Sequence, residues 1–195
     1  MVLAETRAQA EDLAEEIVVD YEELPANFDM LRSVTPEAAR IHEDWPDNVF
    51  LISQIERNFD ERLADAPVKV TREVRTSRQC MSPLEGKGCI AVFERYLEQL
   101  TLWTATQMPH IVRSGLAECL GLDTRKIRVV APDVGGGFGW KGLLQPEEVC
   151  RAWAALKLDR PVKWLEDPRE HLIAAANCRE HHYVMTAYAD TDRTL

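Results

Sequence analysis

The sequence predicts an α+β fold, in which a mixed, largely antiparallel sheet is accompanied by a few helices. From residue 48 to residue 106 short stretches alternate between apolar and polar residues, the pattern of strands that bury one face. Later in the chain, apolar residues recur at helical spacing after Pro109 and after Pro146, and proline is favoured at the first position of a helix. The 195 residues are 46% hydrophobic, which is enough for one sizeable domain or two small ones.

The composition argues against binding to nucleic acid or to an anionic membrane. The formal net charge is −10 at pH 7, and no basic patch is visible. No apolar run approaches the ~20 residues that cross a bilayer, and the opening residues resemble neither a secretory signal nor a transit peptide, so we expect a cytoplasmic protein. The cysteines are widely spaced and are expected to be reduced, mostly buried thiols: Cys80, Cys89, Cys119, Cys150 and Cys178.

The opening of the chain is predicted to form a β-α-β unit. Residues 2–4 and the β-branched run 17–21 are predicted strands, and Thr6 and Gln9 have the spacing of a capping box that begins the helix between them. An irregular, proline-containing stretch follows, which suits a connection on the surface. We therefore assign the end of one domain, a linker and a second domain to residues 1–25, 26–47 and 48–195.

The second domain is predicted to combine strands and three helices. The helices begin at Pro109, at Pro146 and at Pro168, and Asp167 is the N-cap of the last of them. Gly121 is expected to end the first helix in a left-handed conformation. The strands are predicted at residues 48–56, 68–74, 89–96, 99–106, 126–131, 161–165 and 180–189.

A glycine cluster at residues 134–142 is the densest signal in the sequence. It holds five of the nine glycines and lies between a predicted strand and a predicted helix. Residues without Cβ allow successive backbone N–H groups to converge on an anion or on the polar edge of a cofactor, and the helix N-terminus beyond adds positive partial charge. An ordinary glycine turn is the alternative, although such a turn rarely needs five glycines.

Two familiar glycine motifs fit this cluster poorly. A phosphate-binding Walker A loop requires Gly-Lys followed by Ser or Thr, whereas Trp140 precedes Lys141 and Gly142 follows it. A dinucleotide-binding fingerprint is matched literally by residues 137–142, and Glu166 lies near the expected distance for a ribose-binding acid. The first glycine of that fingerprint should end the preceding strand, however, so dinucleotide binding stays open only as a weak alternative.

Five segments together resemble the molybdenum-binding large subunit of the xanthine dehydrogenase, aldehyde oxidase and carbon monoxide dehydrogenase family. In this sequence they read TATQ, RVVAPDVGGGFGWK, PVKWLED, REHL and SPLE, at residues 104–107, 128–141, 161–167, 169–172 and 82–85. The carbon monoxide dehydrogenase-like branch of the family is the most similar. The resemblance covers essentially the whole chain.

The resemblance implies a partial molybdopterin-binding domain preceded by a remnant of an α/β hammerhead domain. In the family, a molybdopterin cofactor hydroxylates its substrate with oxygen from water and passes two electrons through iron-sulfur clusters to flavin, on partner subunits in a heteromeric complex. Carried over by position, Gln107 would lie beside the oxo ligand of molybdenum. The backbone of Gly136, Gly137, Phe138 and Gly139 would follow the pterin.

The chain also departs from the family pattern. The catalytic glutamate and the substrate loop of the family would follow Leu195, so no catalytic residue and no direct metal ligand is assigned, and the isolated chain is expected to be inactive and not to retain the cofactor. Gly142 stands where the xanthine enzymes have a substrate-orienting acid, which removes support for purine hydroxylation. A non-catalytic relative, which associates with itself or a partner through exposed sheet edges, is the rival hypothesis.

The remaining conspicuous residues are expected to have structural roles. His181 and His182 are neighbours in a predicted strand, so their rings should point to opposite faces and cannot easily ligate one metal. Three tryptophans are predicted to lie in the core, namely Trp103, Trp153 and Trp164. Glu85 and Glu166 could act as a carboxylate pair, but no sequence pattern brings them together.

Overall fold

The computed structural model describes residues 1–55 and 65–191, and the chain divides into two compact units. One unit comprises Met1–Ser77 and Glu180–Leu195, and the other comprises Arg78–Arg179. The domain boundary assigned to residues 26–47 concerns the family's domains and stays a prediction. The predicted strand at 48–56 is irregular as far as residue 55, and its last residue lies outside the described ones.

The helices and strands follow the predicted order in most of the chain. The helices are α1 (Arg7–Glu15), α2 (Met30–Ser33), α3 (Pro109–Leu120), α4 (Pro146–Leu158) and α5 (Pro168–Ala174). The strands are β1 (Val68–Thr76), β2 (Gln79–Cys80), β3 (Gly88–Glu94), β4 (Gln99–Thr104), β5 (Ile127–Val130), β6 (Val162–Leu165), β7 (Asn177–Cys178) and β8 (His181–Ala189). The expected α+β class is confirmed.

The unit Arg78–Arg179 is built on a four-stranded sheet in the order β5-β4-β3-β6. Strand β3 pairs antiparallel with β4 and with β6, and β4 pairs parallel with β5. In a dinucleotide-binding β-α-β unit, β5 and β6 would be neighbouring parallel strands connected by the crossover helix. Here they lie at opposite edges of the sheet, so the dinucleotide-binding hypothesis is wrong.

Helices α3 and α4 cover the sheet and close its core. Helix α4 contacts β3 and β6, and α3 contacts β5. Alanines at positions 152, 154 and 155 are fully buried, which lets the backbone of α4 approach the sheet closely. The larger residues that fill the space between the layers are Leu100, Leu102, Val112, Leu116, Ile127 and Val162.

The helix ends confirm the local predictions. Pro109, Pro146 and Pro168 each stand in the first turn of a helix, and Asp167 accepts a hydrogen bond from the N–H of Arg169 as an N-cap. Gly121 ends α3 with φ +65°, a left-handed conformation that costs glycine nothing because it has no Cβ.

The other unit corrects the predicted opening. Residues 2–4 and 17–21 form no strand, although the capping box of Thr6 and Gln9 is present at the start of α1. No strand pairs with either segment among the described residues, and Val18 is 88% exposed, so the β-branched run does not become a strand. The ribbon that does form pairs β1 with β8 antiparallel, from Val68 opposite Ala189 to Thr76 opposite His181.

Two predictions about burial also need correction. Trp103 and Trp153 are 38% and 49% exposed, because each lies on the outer face of its element, while Trp164 packs against the core as expected. Cys89 is buried and Cys150 is half-buried, but the other three cysteines are exposed, so the thiols are not mostly buried. All five cysteines are free thiols.

The first prediction concerns the core of the unit Arg78–Arg179. Leu102→Ala should lower the free energy of unfolding by about 2–5 kcal/mol, because Leu102 is fully buried on a central strand and its loss leaves a cavity. Urea unfolding followed by circular dichroism measures this change. The matched control Leu172→Ala removes the same atoms from an exposed position of α5 and should stay within about 0.5 kcal/mol of the unmodified chain.

The second prediction concerns thiol reactivity. Burial raises the pKa of the Cys89 thiol to about 12, with the charge of Glu148 as a smaller cause, so almost no reactive thiolate forms at neutral pH. Cys89 should react with Ellman's reagent only in denaturant, whereas the exposed thiols react in the native chain. Cys119→Ser should remove one fast-reacting group and Cys89→Ser none. A fast group lost with Cys89→Ser would contradict this burial.

Candidate functional site

The glycine cluster forms a loop between β5 and the 3-10 turn at Trp140–Gly142. Gly136 and Gly139 have φ of +91° and +89°, in the region that L side chains rarely adopt. Phe138 between them also has a left-handed φ of +50° and is 69% exposed. Strained, exposed aromatic residues of this kind are typical of functional loops, where surrounding contacts hold the backbone.

Gln107 contacts this loop directly. It lies between β4 and α3, and its Oε1 accepts a hydrogen bond from the N–H of Gly139 at 3.0 Å. Its backbone N–H donates to the carbonyl oxygen of Lys141 at 2.9 Å. A Cβ placed on Gly137 would lie 2.4 Å from that Oε1, so only glycine fits at position 137 while Gln107 keeps this position. The structure therefore brings together the residues that the sequence singled out.

Several donors of this loop remain unused. Among the described residues, none accepts a hydrogen bond from the backbone N–H groups of Gly136, Gly137 and Phe138. Because Oε1 of Gln107 is the acceptor for Gly139, the Nε2 amide group of Gln107 is left as a donor on an exposed side chain. The arrangement can hold an acceptor-rich or anionic group through neutral amides.

A buried lysine supports the loop. The side chain of Lys141 is 0% exposed, and its Nζ lies 2.5 Å from Oε2 of Glu85. The same oxygen accepts the N–H of Gly135 at 2.7 Å. The hydrogen bond from Lys141, followed by that from Gly135, holds the pKa of Glu85 below its ordinary value of 4.5.

A second buried ion pair connects the sheet to α4. Nζ of Lys87 lies 3.0 Å from Oε2 of Glu148, and both side chains are fully buried. Glu148 also accepts hydrogen bonds from the hydroxyl of Thr104 at 2.5 Å and from the N–H of Gln145 at 2.8 Å. Lys87 donates to the carbonyl oxygen of Leu143 at 2.9 Å. The ion pair therefore holds both Leu143 and Gln145, which lie just after the glycine loop.

Glu166 and His171 form a third buried group. Nδ1 of His171 lies 3.2 Å from Oε2 of Glu166, and its Nε2 lies 2.6 Å from the carbonyl oxygen of Met81. The ring of Trp140 meets the His171 ring edge-on, with centroids 5.4 Å apart. Glu166 also accepts the N–H of Lys87 at 2.8 Å, so Glu85 and Glu166 have separate partners and do not act as a carboxylate pair in this geometry.

Sequence reasoning missed the roles of these buried charges. Lys87, Lys141 and Glu148 resemble ordinary surface charges, since no spacing rule shows that their side chains turn inward. The signal that could have found Glu148 is its position three residues after Gln145, which is the spacing of a capping box.

The two neighbouring histidines have no metal-binding arrangement. His182 lies 2.7 Å from Oε1 of Glu73, while the ring of His181 stacks on Tyr183 with centroids 5.3 Å apart. No group of three or more potential metal-ligating side chains occurs among residues 1–55 and 65–191.

This chain belongs to the molybdopterin cofactor-binding domain family, whose family model matches residues 41–195. The resemblance identified from its glycine loop and flanking segments is thereby confirmed.

Two relatives are similar in sequence to nearly the whole of this chain. The chain is 36% identical over 190 residues to the large subunit of nicotine 6-hydroxylase from Paenarthrobacter nicotinovorans, a match that covers 97% of this chain and 23% of that protein. It is 34% identical over 196 residues to the carbon monoxide dehydrogenase large chain of Hydrogenophaga pseudoflava, covering 93% of this chain and 24% of that one.

Solved structures show the same fold. Quinoline 2-oxidoreductase from Pseudomonas putida 86 superimposes with a TM-score of 0.84 at 36% identity, covering 96% of this chain and 24% of that one. Carbon monoxide dehydrogenase from Oligotropha carboxidovorans superimposes with a TM-score of 0.84 at 32% identity, covering 95% and 25%. The chain thus spans about a quarter of the length of the relatives it matches.

In the described part of the chain, no helix is both long enough and apolar enough to cross a membrane.

The third prediction concerns the buried pair beside the site. Lys87→Met should lower the free energy of unfolding by about 3–5 kcal/mol, because it leaves the Glu148 carboxylate buried without its cation. Urea unfolding measures the change. The control Lys126→Met removes a lysine from an exposed pair with Glu98 and should change stability little. An effect of Lys87→Met no larger than that of the control would show that the pair is not what holds α4 to the sheet.

Proposed function

We propose that this chain forms part of the molybdopterin site in the large subunit of a molybdenum hydroxylase, and that the glycine loop and Gln107 hold the cofactor. The observation that carries the proposal is the set of unused amide donors on the glycine loop, in which the absence of a Cβ at Gly137 leaves room for the Gln107 side chain. Membership of the family and the oxidoreductase names of the relatives support the assignment. We place the chain near the carbon monoxide dehydrogenase-like branch.

The residues present fit an anionic, acceptor-rich cofactor. The N–H groups of Gly136, Gly137 and Phe138 are available donors. The Gln107 side chain lies against Gly137, where the Cβ of any other residue would clash with it. The nearby ammonium of Lys141 is paired with Glu85, so the loop offers hydrogen bonds and not a free positive charge. Gly139 contributes through its bond to Gln107, which fixes the amide of that side chain.

Gln107 is the residue proposed to meet the oxo group of the metal centre. Its Nε2 can donate a hydrogen bond without adding charge to an anionic cofactor, and its Oε1 is already committed to Gly139. When bound, the cofactor would supply a two-electron hydroxylation that takes its oxygen from water. The chain's own contribution is to orient that group and to surround it with fixed donors.

The chain is proposed to act with other polypeptide segments. Neither the residues 1–55 nor 65–191 supply a side chain that we assign as the catalytic base, and the family's glutamate would lie in a further segment. The names of the relatives, a large subunit and large chains, support assembly with partner subunits. From the family resemblance we propose that those partners carry iron-sulfur clusters and flavin. The isolated chain should therefore be inactive, and the cytoplasm is its proposed location.

A second candidate is a non-catalytic association module. Its support is a run of exposed apolar side chains at Phe50, Leu51, Ile52 and Ile55, which is unusual for a surface that stays in water. This candidate predicts self-association or partner binding without any cofactor.

The fourth prediction tests cofactor binding. The chain should be produced in a host that makes molybdopterin, alone and together with the products of the adjacent genes, and analysed for molybdenum and for fluorescent pterin after oxidation. We expect both in the co-expressed complex and little in the chain alone. Gly137→Ala should lower the molybdenum content, because the added Cβ displaces Gln107.

Gly142→Ala is the matched control for that experiment. A Cβ at position 142 meets only Met108 Sδ at 3.7 Å, an ordinary contact, so the molybdenum content should not change. Absence of molybdenum from every preparation would contradict the proposed function and favour the association module.

A further inference from the structure

The glycine loop is closed at both ends by one oxygen atom. Oε2 of Glu85 accepts the N–H of Gly135 at 2.7 Å and lies 2.5 Å from Nζ of Lys141, so residues 135 and 141 are tied to the same point. The N–H of Glu85 also donates to the carbonyl oxygen of Gly135 at 3.4 Å. The residues between these two ties carry the unused donors.

We propose that Glu85 and Lys141 are a positioning pair, which holds the glycine loop and Gln107 in the geometry that receives the cofactor. The inference rests on the proposed function, because it assigns the pair to the same site. Neither residue is a catalytic residue, since each acts through the loop and through Gln107.

The contacts of Lys141 show how the pair can reach Gln107. The backbone carbonyl oxygen of Lys141 accepts the N–H of Gln107 at 2.9 Å and the hydroxyl of Thr106 at 2.9 Å. Gln107 in turn accepts the N–H of Gly139. A displaced Lys141 would therefore move the side chain of Gln107 and the far end of the loop together.

Because the Lys141 side chain is buried, its ammonium group requires the Glu85 carboxylate as a partner. The Lys141 side chain is fully buried, and Glu85 is the only carboxylate that pairs with it among the described residues. Removal of the carboxylate would leave a buried ammonium without a counter-charge, which is strongly unfavourable, so the lysine would have to move toward water. Its movement would open the loop.

Glu85 packs closely against the glycine loop at Gly135. A Cβ on Gly135 would lie 2.8 Å from the Cβ of Glu85, so glycine at position 135 permits the approach. The Glu85 side chain is 41% exposed, so protons from solvent can reach the carboxylate directly. Acid should therefore weaken the contacts of Glu85 with Gly135 and with Lys141.

The fifth prediction uses the unmodified, cofactor-free chain. The amide proton of Gly135 should shift with pH in nuclear magnetic resonance spectra, with a midpoint below 4.5, because its acceptor is the Glu85 carboxylate, whose pKa is lowered. The stabilisation is present above pH 4.5 and is lost as the pH falls through the lowered pKa. A midpoint at or above 4.5, or no titration, would overturn the proposal.

Variants test whether the pair acts beyond its own contact. In Glu85→Gln and in Lys141→Met, hydrogen exchange at the amides of Gln107 and Gly139 should accelerate at least tenfold. Those amides do not touch Glu85 or the Lys141 ammonium, so a merely local effect would change Gly135 alone. Lys141→Arg keeps the charge and should restore part of the protection.

The exchange of core amides in β4 and the variant Lys126→Met are the controls, and both should match the unmodified chain. Unchanged exchange at Gln107 and Gly139 in folded variants would overturn the proposal. If a variant does not fold, the pH titration of the unmodified chain decides, because the amide protons of Gln107 and Gly139 should shift with the same midpoint as that of Gly135, and constant shifts at both would overturn the proposal. These measurements use no cofactor, so their outcome is independent of the molybdenum analysis. Absence of molybdenum would contradict the proposed function and would leave the effect of the pair on the loop to be decided by exchange and titration.

Discussion

The arrangement around the candidate site depends on the buried pair of Lys87 and Glu148. This one interaction connects the start of β3, the end of β4 through Thr104, and the first turn of α4. A buried charge is tolerated only when it is paired and hydrogen-bonded, so the positions of these elements are mutually constrained. The glycine loop therefore lies between elements of the sheet and α4 whose positions this pair already fixes.

The chemistry of the loop follows from the neutrality of its surroundings. Lys141 is compensated by Glu85, and the unused hydrogen-bond donors of the loop are backbone amides. Amide donors recognise geometry and lone pairs more than net charge, which suits a large cofactor with many acceptors along its edge. Glycine is required for two separate reasons here, since positions 136 and 139 need a left-handed backbone, while position 137 needs space.

The sequence predicted the longer helices and strands of the unit Arg78–Arg179, where periodicity, proline starts and caps agreed with one another, as for Asp167 and Gly121. It failed at residues 17–21, because β-branched residues form a strand only when another strand pairs with them. Gln107 and the glycine loop could be identified because their pattern is local. The supporting charges could not, since burial of Lys87 or Lys141 arises from contacts between residues distant in sequence, such as Glu85 and position 141.

Phe138 has a backbone conformation that its own residue type disfavours. A left-handed conformation costs a bulky residue about 1–2 kcal/mol, and glycine would remove that cost. The ring buries little of its own surface in return, so the stability of the unliganded chain does not account for its presence. A screen for stability alone is therefore expected to favour glycine at position 138 and to lose the aromatic side chain.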